Sequence, residues 1–382
     1  MVDKIKILKK IKQKKIKQKK IKQKKIVVAF ICTSLNEVAG GLERQLVRVA
    51  SELSKYDFKV LIFSYDNQPS KSFYKIPDNI LWIRCGNGLV PHTSANLIDR
   101  FKQIYNLRTK LIQYSITHLI TFHHGLFPRS YIACLFLPII KIVSERNSLQ
   151  NYKYIKLRKY NAGFLSLFLS DKITVQLKSY VSDYPKFIRK KINVVPNLLC
   201  KNQLYEEPLL NKSIISMMGR LCPQKNFTPL LDQCLENINE IKDLTIRIAG
   251  EGEYREFFEK KYRLLISCGI LKLLGNIKNT DEFLKSSTIF CFPSLWEGYP
   301  NSLVEALSAG LPVVLSSRLK NLQEFVENDI NGKIVDDSEY IREIIKMIKN
   351  REKLKLMSLE SFKKYKSLQR KSSIDNWTKI IN

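Results

Sequence analysis

The amino-acid sequence predicts an α/β protein of two doubly wound domains, each built on a parallel sheet. At 382 residues the chain is too long for one ordinary domain and long enough for two, each with its own core. From residue 26 onward, short apolar runs alternate with helix-length amphipathic segments. The runs are apolar throughout rather than at every second residue, which is typical of strands buried on both faces of a parallel sheet.

The first domain begins at IVVAFIC (26–32), which precedes Gly40, Gly41 and a helical pattern over 42–55. Strand-like runs separated by helix-length segments follow at 59–65, 118–122, 139–144, 172–175 and 192–195. Residues 26–197 are therefore predicted to form one domain. The polar stretch 198–212 is predicted to be the linker.

The second domain begins at IISMMG (214–219) and is predicted to cover residues 213–365. Its further strand-like runs lie at 244–250, 272–275, 288–294 and 312–317. Residues 366–382 are predicted to form a last helix that can cross back to the first domain. Doubly wound domains bind ligands at the carboxyl ends of their strands, so we expect a cleft between the two domains.

A lysine-rich, low-complexity arm occupies residues 1–25, where IKQKK occurs three times over 11–25. The arm holds 13 lysines and one aspartate, and so supplies +12 of the net charge of +30. Its isoleucines recur every five residues, an advance of about 140° on a helix, so no single apolar stripe forms. We expect a solvated arm attracted to an anionic membrane surface. A tandem duplication without a role is the alternative interpretation.

Several classes of protein are disfavoured by composition. No apolar run approaches the roughly 20 residues that span a bilayer, and no convincing cleavage site follows the short run at 26–32. The eight cysteines are scattered without a Cys-x-x-Cys pair, which argues against a zinc site or a disulfide framework. A reducing, cytoplasmic location is expected.

The sharpest motif is SLWEGYPNSLVEALSAGLPVV, residues 294–314. A strand ends near Ser294, Glu297 lies in the next loop, and Asn301-Ser302 opens and caps a helix that carries Glu305 one turn inside. Amides at a helix start bind anions, so both carboxylates are predicted to face one ligand. The alternative is a surface loop whose glutamates are stabilised by the helix macrodipole.

A second motif is MMGRLCPQKNF, residues 217–227. A strand ends at Gly219, and the loop that follows delivers Arg220 and Lys225 before the next helix. Two cations five residues apart can flank one pyrophosphate, arginine through its planar fork and lysine as a point charge. Solvated surface charges are the alternative.

Together these motifs resemble those of retaining family 4 glycosyltransferases, which have the GT-B fold. Glu297 to Glu305 is similar to their Glu-x7-Glu motif, and 217–227 to their GRL…K-NF segment. The resemblance covers roughly 26–340 and is strongest across 213–317. It implies that Glu305 binds the ribose, Glu297 the sugar ring, and Arg220 and Lys225 the diphosphate. It also implies that backbone amides line the sugar and distal phosphate, namely those of Tyr299, Pro300, Asn301, Ser302 and Leu303.

Five weaker matches add candidate residues. Gly40 and Gly41 resemble the family's glycine-rich loop, where backbone can approach a phosphate. Gly250 and Gly252 match a loop that passes the diphosphate, and residues around Ile277 match one that contacts the base. His123, with His124 as the alternative, matches a sugar-contacting histidine. In Ser144-Glu145-Arg146-Asn147, which resembles a SERN sequence of one bacterial branch, Arg146 either reaches a phosphate or holds a loop.

The resemblance implies transfer of a hexose or N-acetylhexosamine, with UDP favoured, to a lipid-linked oligosaccharide, lipopolysaccharide or capsule precursor. No Asp-x-Asp pattern occurs, which argues against a metal-dependent GT-A enzyme, so neither a metal nor another cofactor is expected. The alternatives are another GT-B-type enzyme, such as a sugar-nucleotide epimerase, and a nucleic-acid-binding protein that uses the basic arm. The basic run has no interleaved aromatic residues, and nucleic acid is not an expected partner.

Overall fold

The computed structural model describes two parallel sheets and the helices that connect their strands. The described residues are 25–38, 40–86, 88, 96–122, 124–149, 162–199, 205–207, 212–371 and 374–382. Residues 1–24 of the predicted arm, and most of the predicted linker, lie outside this part of the chain.

Within the described residues, the first sheet contains seven strands, β1 to β7. In chain order they are Val27–Cys32, Lys59–Ser64, Leu81–Arg84, His118–Thr121, Ile140–Ser144, Lys172–Val175 and Ile192–Val194. Their order across the sheet is β3-β2-β1-β4-β5-β6-β7, and the pairs from β1 to β6 run parallel. All six residues of β1 are buried, as the continuous apolar run predicts for a central strand.

Four α-helices, α1 to α4, lie between the strands of this sheet in the described part of the chain. They are Gly41–Leu53, Leu97–Gln113, Phe127–Cys134 and Ala162–Leu169. In α1 the residues Leu46, Val49, Ala50 and Leu53 are buried. Because they are spaced three and four residues apart, they form one apolar face that packs on the sheet.

The second sheet, as far as the chain is described, contains six strands, β8 to β13. They are Ile214–Met218, Thr245–Ala249, Leu271–Gly275, Ile289–Phe292, Val313–Ser316 and Gly332–Val335. Their order is β10-β9-β8-β11-β12-β13, with every neighbouring pair parallel. The α-helices α5 to α12 follow in the described residues at Thr228–Glu236, Arg255–Lys261, Arg263–Ser267, Thr280–Lys285, Asn301–Ser308, Tyr340–Lys349, Arg351–Lys371 and Asp375–Ile381. The predicted α/β class with two parallel sheets is confirmed.

The described chain divides into two compact units. The first holds the residues up to Ser144, together with Ala162–Thr174 and Trp377–Asn382. The second holds Val175–Asn376 and the described residues that begin at Glu145. This division leaves 175–197 in the second unit, whereas the sequence prediction places them in the first domain.

The C-terminal helix packs into the core of the first unit through Trp377. The Trp377 ring stacks on Phe122 at 6.0 Å between centroids and meets Phe30 edge-on at 6.3 Å. Lys172 donates a hydrogen bond to the carbonyl oxygen of Ile380. The last helix of the chain therefore completes a core whose strands come from the first half of the chain.

Candidate active site

The strand order of the second sheet defines where its ligand site can lie. The chain leaves β8 towards β9 on one side and later enters β11 on the other side. The carboxyl ends of β8 and β11 therefore flank the point at which the strand order reverses, where doubly wound sheets bind ligands. The loops that follow these two strands, 219–227 and 293–300, carry both of the sharpest sequence motifs.

Hydrogen bonds connect these two loops directly. The amide of Leu295 donates to the carbonyl oxygen of Gln224 at 2.8 Å, and the Gln224 side chain donates to the carbonyl oxygen of Trp296 at 2.9 Å. Asn226, in the left-handed conformation at φ 50°, donates to the carbonyl oxygen of Pro293 at 3.2 Å. The loops therefore form one bonded layer over the strand ends.

Within this layer the side chains of Lys225 and Glu297 form an ion pair. The Lys225 Nζ atom lies 2.5 Å from Glu297 Oε1, and the two side chains are only 15% and 10% exposed. The ammonium group also lies 5.7 Å from the centre of the Phe292 ring. A β-carbon at Gly219 would lie 2.6 Å from Lys225 Cε, so glycine at 219 leaves the space that the lysine side chain occupies.

Arg220 differs from Lys225 in its surroundings. Its side chain is exposed, and within the described residues it makes no hydrogen bond or ion pair. The site therefore holds one cation already matched by a carboxylate and a second cation in contact with solvent. A ligand with two negative charges can contact both cations by taking the place of water at Arg220.

Gly250 and Gly252 are adjacent to this site for a structural reason. A β-carbon at Gly250 would lie 2.1 Å from the carbonyl oxygen of Gly219, and one at Gly252 would lie 2.4 Å from that of Leu221. Backbone hydrogen bonds join the loops at 3.0 Å, from Gly219 to Ala249 and from Leu221 to Glu251. These glycines thus let the loop after β9 pack against the loop that carries Arg220.

Ile277 lies further along the same edge of the sheet, in the loop between β10 and α8. The amide of Gly250 donates to the carbonyl oxygen of Gly275 at 2.8 Å, so the loops after β8, β9 and β10 are joined in a row. Ile277 is half-buried. Its predicted contact with the base stays a prediction.

Tyr180, a residue of the 3₁₀ helix Lys178–Asp183, is hydrogen-bonded to the backbone of the Glu297 loop. The Tyr180 hydroxyl donates to the carbonyl oxygens of Gly298 and Glu297, the latter at 3.2 Å. Tyr180 is buried, and its pKa is raised by this burial and further by the charge of Glu297. The hydroxyl is therefore a neutral donor that fixes the loop backbone.

Gly298 is also closely packed on its other side. A β-carbon there would lie 1.9 Å from the carbonyl oxygen of Arg146. The Arg146 side chain donates to Asn197 Oδ1 at 2.9 Å, and Asn197 Nδ2 donates to Asn301 Oδ1 at 2.9 Å. Of the two alternatives for Arg146, these contacts support the second, in which it holds a loop in place.

Helix α9 begins at Asn301 with Pro300 as its N-cap residue and no side-chain cap. The predicted cap by Asn301-Ser302 is wrong, because the Asn301 side chain accepts its hydrogen bond from Asn197 instead. Glu305 lies in the second turn of the helix and is half-buried.

Only some backbone groups at this helix start can bind an anion. Pro300 has no N–H, and the Asn301 amide donates to the carbonyl oxygen of Tyr299 at 2.8 Å. The Tyr299 ring is buried and meets Phe325 edge-on at 5.8 Å. In the described chain the amides of Ser302 and Leu303 have no backbone acceptor in the loops around the helix start, so these two can donate to a ligand.

The first unit has its own reversal of strand order, between β1 and β4. Gly40 and Gly41 follow β1, with Gly41 as the first residue of α1. A β-carbon at Gly40 would lie 1.9 Å from the carboxylate of Glu43, so that carboxylate lies at the helix start. His123 follows β4 but lies outside the described residues.

Two further kinds of feature are absent from the described residues. No three His, Cys, Asp or Glu side chains are grouped so that they could hold a metal ion. No described helix is both long and apolar enough to cross a membrane.

Sequence reasoning missed Tyr180 and Asn197. Both are common residue types in an unremarkable stretch, more than 100 positions from the loop they hold. Nothing in their local pattern identifies a partner, since the contact exists only after the chain has folded.

Residues 205–364 match the family model of glycosyl transferases group 1. An uncharacterized glycosyltransferase of Haemophilus influenzae is 28% identical over 312 residues, which cover 81% of this chain and 85% of that protein. The UDP-Gal:alpha-D-GlcNAc-diphosphoundecaprenol alpha-1,3-galactosyltransferase of Escherichia coli is 34% identical over 164 residues, 38% of this chain and 41% of that protein.

Two solved structures are similar in fold to this chain over 93% of its length. Anabaena HepE in complex with UDP has a TM-score of 0.72 at 14% identity, over 93% of this chain and 98% of that chain. WaaG, a glycosyltransferase involved in lipopolysaccharide biosynthesis, has a TM-score of 0.72 at 12% identity, over 93% and 99%. The predicted GT-B fold is confirmed by these neighbours.

Proposed function

We propose that this chain, whose fold is GT-B and whose residues 205–364 match the group 1 family model, is a glycosyltransferase that transfers a hexose or N-acetylhexosamine from a UDP-sugar with retention of anomeric configuration. The proposed acceptor is a lipid-linked oligosaccharide, lipopolysaccharide or capsule precursor. The proposed location is cytoplasmic and peripheral to the membrane. The Escherichia coli relative, named for UDP-galactose and a diphosphoundecaprenol acceptor, supports this choice of donor and acceptor.

The observation that carries the proposal is the Lys225–Glu297 ion pair at the reversal point of the second sheet. A sugar diphosphate has a negative end and a hydroxyl-rich end, joined at the bond that breaks. The charged atoms of Lys225 and Glu297 lie 2.5 Å apart, so the lysine can face the diphosphate while the glutamate faces the sugar on the other side of that bond. Arg220, which is exposed in the loop just after β8, can contact the diphosphate as the second cation.

The chemistry follows from where charge develops. As the sugar leaves, the anomeric carbon becomes positive and the departing phosphate oxygens become negative. Lys225, Arg220 and the Ser302 and Leu303 amides would stabilise the leaving diphosphate without a metal, and Glu297 would face the sugar. Because Tyr180 and Gly298 fix the Glu297 loop beforehand, little reorganisation is needed during the reaction.

Glu305 and the remaining candidates complete the proposed donor site. Glu305, in the second turn of α9, is proposed to bind the ribose hydroxyls. Ile277 is proposed to contact the base from the loop after β10. Gly40 and Gly41 are proposed to bind a phosphate of the donor, and His123 is proposed to contact the sugar.

A thermal-shift panel with several nucleotide sugars tests the proposal. A ligand at 100 times its Kd stabilises the folded state by about 2.7 kcal/mol, so the preferred donor should raise Tm most. Stabilisation by UDP-hexoses and not by GDP-mannose is expected. Incubation of that donor with a lipid-linked acceptor, followed by NMR of the product's anomeric proton, then tests transfer and retention. An inverted product, or epimerised donor without transfer, would contradict the proposal.

A further inference from the structure

In the first unit, the loop after β2 is hydrogen-bonded to the loop after β1. Both loops leave the same edge of the sheet, since β1 and β2 run parallel with Cys32 opposite Ser64. The Lys71 amide donates to Asn36 Oδ1 at 2.9 Å, and the Glu37 amide donates to the Lys71 carbonyl oxygen, also at 2.9 Å. The two loops are therefore joined at the carboxyl edge of the sheet, where doubly wound domains bind ligands.

Further hydrogen bonds hold both ends of the segment 70–74 within the loop after β2. At one end, the Tyr74 hydroxyl donates to the carbonyl oxygen of Gly40, the N-cap residue of α1, at 3.2 Å. At the other end, the Arg84 guanidinium of β3 donates to the hydroxyl and to the carbonyl oxygen of Ser70, both at 3.1 Å. Segment 70–74 is therefore fixed between β3 and the start of α1.

Phe73 is an exposed aromatic residue of this fixed segment. Its side chain is 62% exposed, and its ring meets the Tyr74 ring edge-on at 5.1 Å between centroids. The exposed side chains on either side of it in sequence, Lys71 and Lys75, are charged. A single aromatic ring on a fixed segment with charged neighbours suits a small polar ligand that has one apolar face.

A pyranose ring has the matching chemistry. One face of the sugar ring presents C–H groups with a partial positive charge, whereas the face of an aromatic ring is negative. Hydroxyl groups around the rim of the sugar stay in contact with water, and the ammonium groups of Lys71 and Lys75 can donate hydrogen bonds to them. A hexose can therefore stack on Phe73 without the burial of an unpaired hydroxyl group.

We propose that Phe73 is the stacking surface for a hexose ring of the acceptor. The inference rests on the proposed function, which requires a sugar-containing acceptor, and it names a residue that recognises that acceptor. The base of the donor, the other ring in the reaction that could stack on an aromatic side chain, is proposed to bind near Ile277 in the second unit. It therefore does not compete for Phe73.

Saturation-transfer NMR on the full-length protein tests the proposal. The probes are methyl α-glucopyranoside and methyl N-acetyl-α-glucosaminide, each titrated in the presence of UDP. Sorbitol, an open-chain polyol without a ring face, is the control ligand. The variants are Phe73→Ala, the conservative Phe73→Tyr and the control Phe101→Ala. Phe101, on α2 of the same unit, is 69% exposed against 62% for Phe73, so the control removes a comparably exposed ring. UDP binding and Tm are measured on each preparation.

At least one methyl glycoside should bind the wild type more tightly than sorbitol does. Phe73→Ala should weaken that binding roughly tenfold, since stacking on one aromatic ring contributes on the order of that factor. Phe73→Tyr and Phe101→Ala should bind the glycoside like the wild type. Because Phe73 is exposed, Phe73→Ala should leave Tm and UDP affinity unchanged.

Three results would overturn the proposal: equal glycoside binding by Phe73→Ala and Phe101→Ala, equal loss of binding in Phe73→Ala and Phe73→Tyr, or a wild type that binds UDP but neither glycoside. The last result would leave the proposed function intact and remove only the stacking surface. A wild type that binds a glycoside through Phe73 but does not bind UDP would contradict the proposed function instead, and with it the assignment of the bound sugar as an acceptor.

Discussion

The hydroxyl of Tyr180 donates to the carbonyl oxygen of Gly298, next to the glutamate proposed to face the transferred sugar. The same hydroxyl reaches the carbonyl oxygen of Glu297 at 3.2 Å. Because a β-carbon at Gly298 would lie 1.9 Å from the Arg146 carbonyl, the loop is confined from two sides. This relationship assigns Tyr180 a positioning role that can be measured.

We expect Tyr180→Phe to lower kcat roughly tenfold while KM for the donor changes less. The substitution keeps the ring and removes only the hydrogen bonds that orient the loop, which contribute about 0.5–1.5 kcal/mol each. Steady-state kinetics with the donor identified by the thermal-shift panel gives both parameters. If Tyr180 were merely structural, the Tm would fall but kcat of the folded enzyme would stay at the wild-type value.

Tyr184→Phe is the matched control for this experiment. Tyr184 is equally buried on the same segment, yet its hydroxyl has no hydrogen-bond partner among the described residues. Removing a buried, unsatisfied hydroxyl should leave kcat unchanged and leave the free energy of unfolding equal or slightly higher. Equal losses of kcat in Tyr180→Phe and Tyr184→Phe would contradict a positioning role for Tyr180.

Arg220→Ala and Lys225→Ala should each weaken UDP binding roughly 10- to 100-fold and leave uridine binding nearly unchanged. Hydrogen bonds to charged groups contribute about 1.5–3 kcal/mol, and uridine lacks the phosphates they would contact. Titration calorimetry with both ligands measures the difference. Parallel losses for uridine and UDP would mean that neither cation binds phosphate.

The two variants should differ in stability. Lys225→Ala removes the ion-pair partner of a mostly buried carboxylate at Glu297 and should lower Tm. Arg220 is exposed, so Arg220→Ala should leave Tm close to the wild type. Arg263→Ala, which changes another exposed arginine, serves as the control for both UDP affinity and Tm.

Glu297→Gln should lower kcat about 100-fold, whereas Glu305→Gln should mainly raise the donor KM, by roughly tenfold. A contact to the sugar ring strengthens as charge develops, while a ribose contact binds ground and transition states alike. Glutamine preserves the size of each side chain, but Glu297→Gln leaves the Lys225 ammonium without its ion-pair partner, so Tm is measured together with the kinetics. Kinetics at saturating and limiting donor separate the effects, and wild-type values for both variants would contradict the proposed donor site.

The free energy of unfolding should fall as the pH drops below the ordinary histidine value of 6.5, in part because of His118. Burial lowers the pKa of His118, and the nearby charge of Lys172 lowers it further. The unfolded chain therefore binds the proton more readily than the folded chain. The contribution of His118 to the free energy of unfolding is present above pH 6.5 and is lost as the pH falls below it. His118→Gln should flatten the dependence below about pH 6.5, by at most about 1.4 kcal/mol per pH unit. Urea unfolding across this range tests it, and equal slopes would contradict it.

Central strands were predictable because both of their faces are covered. The run at 26–32 became β1, and the run at 288–294 became β11, both fully buried. The edge strands β3 and β13 were missed. In β3 only Ile83 of the four residues is buried, since an edge strand needs no continuous apolar run.

The sequence by itself determined the α/β class, the two motifs after β8 and β11, and the residues that resemble a donor site. These are local properties, since each depends on residues within one strand, turn and helix. Only the tertiary structure decided that Lys225 pairs with Glu297 and that Tyr180 and Asn197 hold the loop and the helix start from more than 100 residues away. Such contacts depend on strand order, which brings distant segments together through burial of the whole sheet and leaves no trace in the pattern of any one segment.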